Sequence, residues 1–213
     1  MLKFSDYVKA KNLSYGKPKQ DAYLINKKTP NFSNWKNIKF PDHPNTDETK
    51  KEIKKIDRYL KTNTKEDWNK IYEQDIPDIE LLFVKLLESK GEKIDHDLKN
   101  KIVSLSKQLS TISLYYKIKY NRPRPFQFFE ILGQKLKFKG NTTDSPSYPS
   151  THALIGTFIS IYLSKIFAKH KSDLIALGKE LGDYRVKAGF HFQSDCDAGN
   201  WLANKLFEYF KED

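Results

Sequence analysis

The chain is nearly devoid of cysteine: among 213 residues only Cys196 carries a thiol. A lone cysteine excludes an intramolecular disulfide and a thiolate metal cluster within one chain, so packing must hold the fold. Long apolar runs are missing too. The best candidate, 153–168, is broken by Ser160, Ser164 and Lys165 and falls short of the roughly 20 residues a membrane span needs; it is a core helix. The first 20 residues lack the continuous apolar stretch and small-residue cleavage site of a secretory signal. A soluble cytoplasmic protein is the expectation, with a processed exported form as the alternative. Neither an internal repeat nor a strand-rich zone interrupts the sequence, which leaves an all-α fold.

What is present is globular in composition, with 38% hydrophobic and 31% charged residues and a mean hydropathy of −0.71. At this length one domain can bury most of the surface its unfolded chain exposes. The net charge of +11 implies affinity for anions, and on charge alone nucleic acid, an anionic membrane surface and a phosphorylated small molecule fit equally. Lysine-rich stretches such as 50–55 alternate with acidic residues and read as solvated helix faces.

Residues 1–46, rich in Lys, Asn and Pro with scattered aromatics, have no sustained period and are expected to wrap the core as an irregular arm. Residues 47–213 form a single helical domain. Ile53, Ile56, Tyr59 and Leu60 mark a first helix, and Thr64 with Asp67 forms a capping box for a second. Pro77 should open a third, ending near Gly91. Asp95 caps a long helix running to about Lys119, stopped by Pro123 and Pro125. The segment 126–148 reads as loop, followed by helices over 150–169, 172–188 and 195–211.

Three clusters carry chemistry. Lys117 and Arg124, six residues apart, can converge on one anion, the arginine as a planar fork and the lysine as a point charge; a basic helix end is the plainer alternative. In Pro149-Ser150-Thr151-His152, Ser150 is a natural N-cap, and the amides after it form an anion-binding helix end beside an acid or base, His152. In the stretch 183–195, Arg185 is followed by His191 and then, after three residues, Asp195. A carboxylate on one ring nitrogen fixes the tautomer and leaves the other nitrogen as nucleophile or base, although such a pair is as often structural. Together the clusters supply the parts that phosphoryl transfer needs.

In this order the clusters resemble the three motifs of the superfamily that joins type 2 phosphatidic acid phosphatases, bacterial class A non-specific acid phosphatases and vanadium haloperoxidases. The motifs are Lys, six residues, Arg-Pro; Pro-Ser-Gly-His; and Ser-Arg, five residues, His, three residues, Asp. Every spacing is met, with Thr151 in place of the glycine and Tyr184 in place of the serine. The resemblance implies an all-α bundle and a metal-independent phosphatase acting on phosphate monoesters of small molecules. Lys117, Arg124, Arg185, the Ser150 hydroxyl and the Thr151 amide would hold the phosphoryl oxygens. His191 would be phosphorylated, Asp195 would orient it, and His152 would protonate the leaving oxygen. No cofactor is implied; vanadate should inhibit.

Two other functions remain open at this point. A vanadate-dependent haloperoxidase uses the same residues with vanadate as its cofactor, and the short chain speaks against it. A basic module that binds phosphate or nucleic acid without turnover needs cations but no His-Asp pair, so no stable nucleic-acid complex is expected.

Overall fold

A computed structural model of the chain describes residues 15–16, 27–131, 133 and 140–211. Its helices are α1 (Thr46–Thr62), α2 (Lys65–Gln74), α3 (Glu80–Ser89), α4 (His96–Tyr120), α5 (Pro125–Ile131), α6 (Thr151–Ile166), α7 (Lys171–Lys187) and α8 (Gln193–Tyr209). No β-strand forms among the described residues, where a backbone bridge pairs Phe32 with Phe210. No helix among them is long and apolar enough to cross a membrane. The fold is all-α, as the periodicity predicts.

Local chemistry sets most boundaries. The Asn45 side chain accepts from the amides of Asp47 and Glu48 to start α1. Thr64 and Asp67 form the expected capping box on α2, and Asp95 caps α4. The chain leaves α4 at Asn121, in the left-handed region at φ 45°, a conformation asparagine tolerates better than most residues.

Four expectations are corrected. The third helix starts at Glu80, not at Pro77; Asp75, the C-cap of α2, has left helical geometry and pairs with Arg185. Pro125 does not end a helix but begins α5, inside the stretch read as loop, since proline is well suited to a first turn. The helix expected over 150–169 stops at Ile166 before a 3-10 turn, Ala168–His170. Asp195 is not the cap of α8: Phe192 holds that position and Asp195 sits three residues in, its carboxylate accepting from the Phe192 amide.

The arm expected over residues 1–46 lies partly outside the described residues. Of the described part, Phe32, Trp35, Ile38 and Phe40 are buried in the main core, and the Phe32 ring meets Phe158 of α6 edge-on at 5.2 Å. Helix α6 is the axis of the core, packed between α7, α8 and α4. It is apolar on nearly all sides, as a fully surrounded helix must be.

Small residues permit that packing. A Cβ on Gly178 of α7 would lie 2.6 Å from the carbonyl oxygen of Gly156, and one on Gly156 would lie 2.8 Å from the carbonyl oxygen of Gly178. The α6 and α7 backbones therefore touch. A Cβ on Gly199 of α8 would come within 2.6 Å of the Ser150 carbonyl oxygen, which ties α8 to the start of α6.

Gly178→Ala tests this contact. Alanine favours an isolated helix by about 1 kcal/mol, but overpacking costs about 1–3 kcal/mol and more where the obstacle is backbone. Urea denaturation should therefore show a net loss of stability with an unchanged slope. A more stable variant would mean that the two helices are not in backbone contact.

Candidate active site

Each of the three clusters sits at a helix end. Lys117 lies in the last turn of α4, and the left-handed Asn121 ends that helix just before 122–124. The chain reaches α6 through a cis Tyr148–Pro149 peptide. Ser150 caps α6, its hydroxyl oxygen accepting from the Ala153 amide, which puts Thr151 and His152 in the first turn. Arg185 ends α7, Gly189 at φ 72° breaks the helix, and His191 lies in the turn before α8. A cleft of about 650 Å³ opens where they meet, lined by Lys117, Arg124, Thr151, His152 and His191 together with Ser145 and Thr142.

The donors around His191 decide its tautomer. Arg124 Nη1 lies 3.2 Å from His191 Nε2, and a guanidinium can only donate, so Nε2 carries the lone pair. The ring proton is therefore on Nδ1, which donates to Asp195 Oδ2 at 3.2 Å. Burial, followed by the charges of Arg124 and Lys117, holds the ring well below the usual histidine range against the opposing pull of Asp195. A neutral imidazole thus presents Nε2 beside a cation.

Asp195 is fully buried, and burial alone would raise its carboxyl. Arg122, then His191 and Ser147, outweigh that and carry it far below the ordinary carboxylate range. Its Oδ2 accepts from the Phe192 amide at 2.8 Å and from the Ser147 hydroxyl, and its Oδ1 from Arg122 Nη1 at 2.5 Å. Its backbone carbonyl accepts from the Ser150 amide at 2.9 Å, joining the second and third clusters.

The cations fall into two kinds. Lys117 donates to the carbonyl oxygens of Pro146 and Ser147 at 2.6 and 3.3 Å. Arg124 donates through Nε to the Ser145 carbonyl at 2.7 Å and through Nη1 to the Phe190 carbonyl at 2.9 Å. Carbonyls satisfy their protons without cancelling their charge, and no carboxylate bonds to either among the described residues. Burial and then a neighbouring guanidinium pull both down, Lys117 beside Arg124 and Arg124 beside Arg185, the latter to about 9. Such a pair gains from any anion that enters. Arg185 differs: Nη1 pairs with Asp75 Oδ1 at 2.8 Å and Nη2 donates to the Thr142 hydroxyl at 2.8 Å. Its Nε has no partner among the described residues.

His152 Nε2 lies 3.2 Å from the Gln74 carbonyl, an acceptor, so the neutral ring carries its proton there and keeps a lone pair on Nδ1. Burial, then Arg185 and His191, holds this ring also far below the usual range. Of the predicted anion-binding groups, Ser150 and Arg185 stand behind the cleft wall rather than on it. Thr151 lines the cleft, its hydroxyl bonded to that of Ser113 at 2.7 Å. Tyr184, in the family's serine position, packs with Ile71, Ala188 and Phe190 and places its ring under the Lys187 ammonium at 4.7 Å.

Sequence reasoning passed over Asp75, Arg122, Glu52 and Ser147. Asp75 accepts from the Asn141 amide at 2.5 Å and the Thr142 hydroxyl at 2.7 Å as well as from Arg185. Arg122 bridges Asp195 to Glu52 of α1, with Nη2 3.1 Å from Glu52 Oε2. Only Arg122 had a visible signal, a third cation in the proline-flanked segment, and the others are recognised by contact alone. No three His, Cys, Asp or Glu side chains cluster as metal ligands would among the described residues.

The three motifs with this geometry fall inside a match to the family model described as the PAP2 superfamily, over residues 102–204. A non-specific acid phosphatase of Providencia stuartii is 33% identical over 134 residues, 63% of this chain and 47% of that protein. A non-specific acid phosphatase of Salmonella typhimurium is 32% identical over 117 residues, 53% of this chain and 47% of that protein. The chain thus spans about half the length of the curated relatives it matches. Motif order, helical frame and family match thus agree over one cleft, and it is through residues 102–204 that the chain is similar to the PAP2 superfamily.

Proposed function

We propose that the chain is a phosphatase that hydrolyses small phosphate monoesters through a phosphohistidine on His191, without need of a metal ion. One observation carries the proposal: His191 offers an unprotonated Nε2 next to Arg124 while Asp195 holds the proton of Nδ1. Lys117 and Arg124, whose charge no carboxylate among the described residues takes up, bind the phosphoryl oxygens with the amides at the start of α6. Nε2 attacks phosphorus in line with the departing oxygen, and Asp195 stabilises the imidazolium that results. His152 gives a proton to that oxygen and later takes one from the water that hydrolyses the phosphohistidine. Arg185, held by Asp75, adds positive potential and its unpaired Nε.

The relatives' names support phosphate ester hydrolysis. The same residues also argue against a binding module, since a buried His-Asp pair adds nothing to the capture of an anion. Vanadate, a five-coordinate mimic of the transferring group, is expected to inhibit, and the conditions that loaded it would be those to test for halide oxidation.

The nucleophile is tested by rapid quenching without acid. Labelled substrate should leave phosphate on a peptide containing His191, and His191→Ala should abolish both label and turnover. Asp195→Asn should keep the fold but lose most of the rate through the wrong tautomer. An active His191→Ala enzyme, or activity removed by chelator and restored by a divalent metal, would overturn the mechanism.

His152 is tested by the leaving group. His152→Ala should cost about a hundredfold to ten-thousandfold on an alkyl phosphate and much less on p-nitrophenyl phosphate, whose leaving oxygen scarcely needs a proton. Equal losses on both would remove it as the acid.

The pH profile follows from the two depressed histidines. With His191 neutral to well below the ordinary value of about 6.5, the nucleophile stays competent in mild acid. His152 is neutral in the free enzyme as well, so its proton must come with a monoanionic substrate, whose second ionisation lies near about 6. The specificity constant kcat/KM should therefore be highest on the acid side of neutrality and fall as pH rises through that range. A profile that climbs from pH 5 to 8 would contradict this assignment.

A further inference from the structure

Arg122 does not reach the cleft, yet it is among the largest fully buried side chains, at 2% exposure. One arm, Nη1, donates to Asp195 Oδ1 at 2.5 Å and to the Ser194 hydroxyl at 2.8 Å. The other, Nη2, donates to Glu52 Oε2 at 3.1 Å and to the Thr49 hydroxyl at 3.2 Å. The guanidinium carbon lies 4.1 Å from the centre of the Phe192 ring. Glu52 in turn accepts from the amide and hydroxyl of Ser194 at 2.7 and 2.9 Å. The backbone carbonyl of Arg122 accepts from the Ser147 amide at 2.9 Å, and the Ser147 hydroxyl donates to the other oxygen of Asp195. Arg122 therefore controls both oxygens of that carboxylate, one directly and one through Ser147.

We propose that Arg122, braced by Glu52, is a positioning residue for the nucleophile: acting only through Asp195, it fixes which nitrogen of His191 is free and keeps the ring uncharged. The reason lies in the alternation of charge from Glu52 to Arg122 to Asp195 to His191. A fully buried carboxylate with no other counterion would draw a proton onto the imidazole beside it, and a protonated Nε2 cannot attack phosphorus. Arg122 absorbs enough of that charge for Asp195 to orient the ring without ionising it. The ring is also faced by Arg124 from the segment before α5, Lys117 from α4 and His152 from α6. The cations oppose its protonation, which leaves Asp195 as the group that favours it.

This rests on the proposed role of His191, and the experiment separates the two. Histidine ring signals are followed by NMR through a pH titration of the full chain, with His191 assigned by its loss in His191→Gln, beside the acid limb of kcat/KM and a thermal melt. In Arg122→Gln the His191 midpoint should rise by about 1–3 pH units, the effect of an unbalanced neighbouring charge, and the acid limb should rise with it. Arg122→Lys should restore part of the shift. Glu52→Gln, a milder change should Arg122→Gln fail to fold, strengthens the net field of Arg122 and should move the midpoint downward. An unmoved midpoint with a lowered melting temperature would make Arg122 a structural tie and overturn the proposal, as would an upward shift in Glu52→Gln. Should the ring respond as expected in a chain that hydrolyses no phosphate ester, Arg122 keeps its role and the proposed function falls.

Discussion

Asp195 has no contact with solvent, so each lone pair of an ionised carboxylate there must be answered by the protein. Four donors do so, namely the Arg122 guanidinium, the Ser147 hydroxyl, the Phe192 amide and His191 Nδ1, while the Ser150 amide bonds the backbone carbonyl of the same residue. They come from the segment after α4, the loop before α6, the start of α6 and the turn before α8. One buried residue thus ties four stretches of chain together, three of them through its negative charge. Removing any one donor leaves a buried group unsatisfied, a cost of about 1–3 kcal/mol and more for a charged one.

Such convergence requires helix ends that can approach closely. Gly156 and Gly178 let α6 and α7 touch through their backbones, and Gly199 lets α8 reach the first turn of α6. The candidate site residues ride on these ends. Bulk in the apolar core comes from elsewhere: Phe158, Leu154, Leu202 and Leu206 fill the space around α6. The division between small residues at the crossings and large ones between them places the clusters within hydrogen-bonding distance of one another.

Much of this was legible in the sequence because it rests on local rules. Capping by Thr64, Asp95 and Ser150, the three-to-four spacing of α4 and the break at Gly189 each depend on residues a few positions apart. The three clusters were legible because their spacings match a known pattern. The departures have local causes of another sort: Pro125 could end one helix or begin another, and only the tertiary setting of Phe128 and Phe129 in a core chose the second. Asp75 was misread because its partner, Arg185, is 110 positions away. Glu52 was invisible for the same reason, as one acid in a lysine-rich helix, and the proline-flanked position of Arg122 gave no sign that its partner is Asp195, 73 positions away. The fate of Tyr184 was likewise undecidable before Trp68 and Ile71 of α2 were seen to receive it.

The unequal treatment of the four buried cations explains how one site can be both stable and ready for an anion. If all four were paired with carboxylates, an incoming phosphate would have to displace a bound acid at each, and little binding energy would remain. If all four were held only by carbonyls, burial together with their mutual repulsion would disfavour folding, the two causes, in that order, that lower Lys117 and Arg124. Arg122 and Arg185 are neutralised by Asp195 and Asp75 at the back of the site. Lys117 and Arg124 face the cleft with their charge uncancelled. The two acids hold the frame together and limit the unrelieved repulsion to two positive charges, which an entering anion lessens.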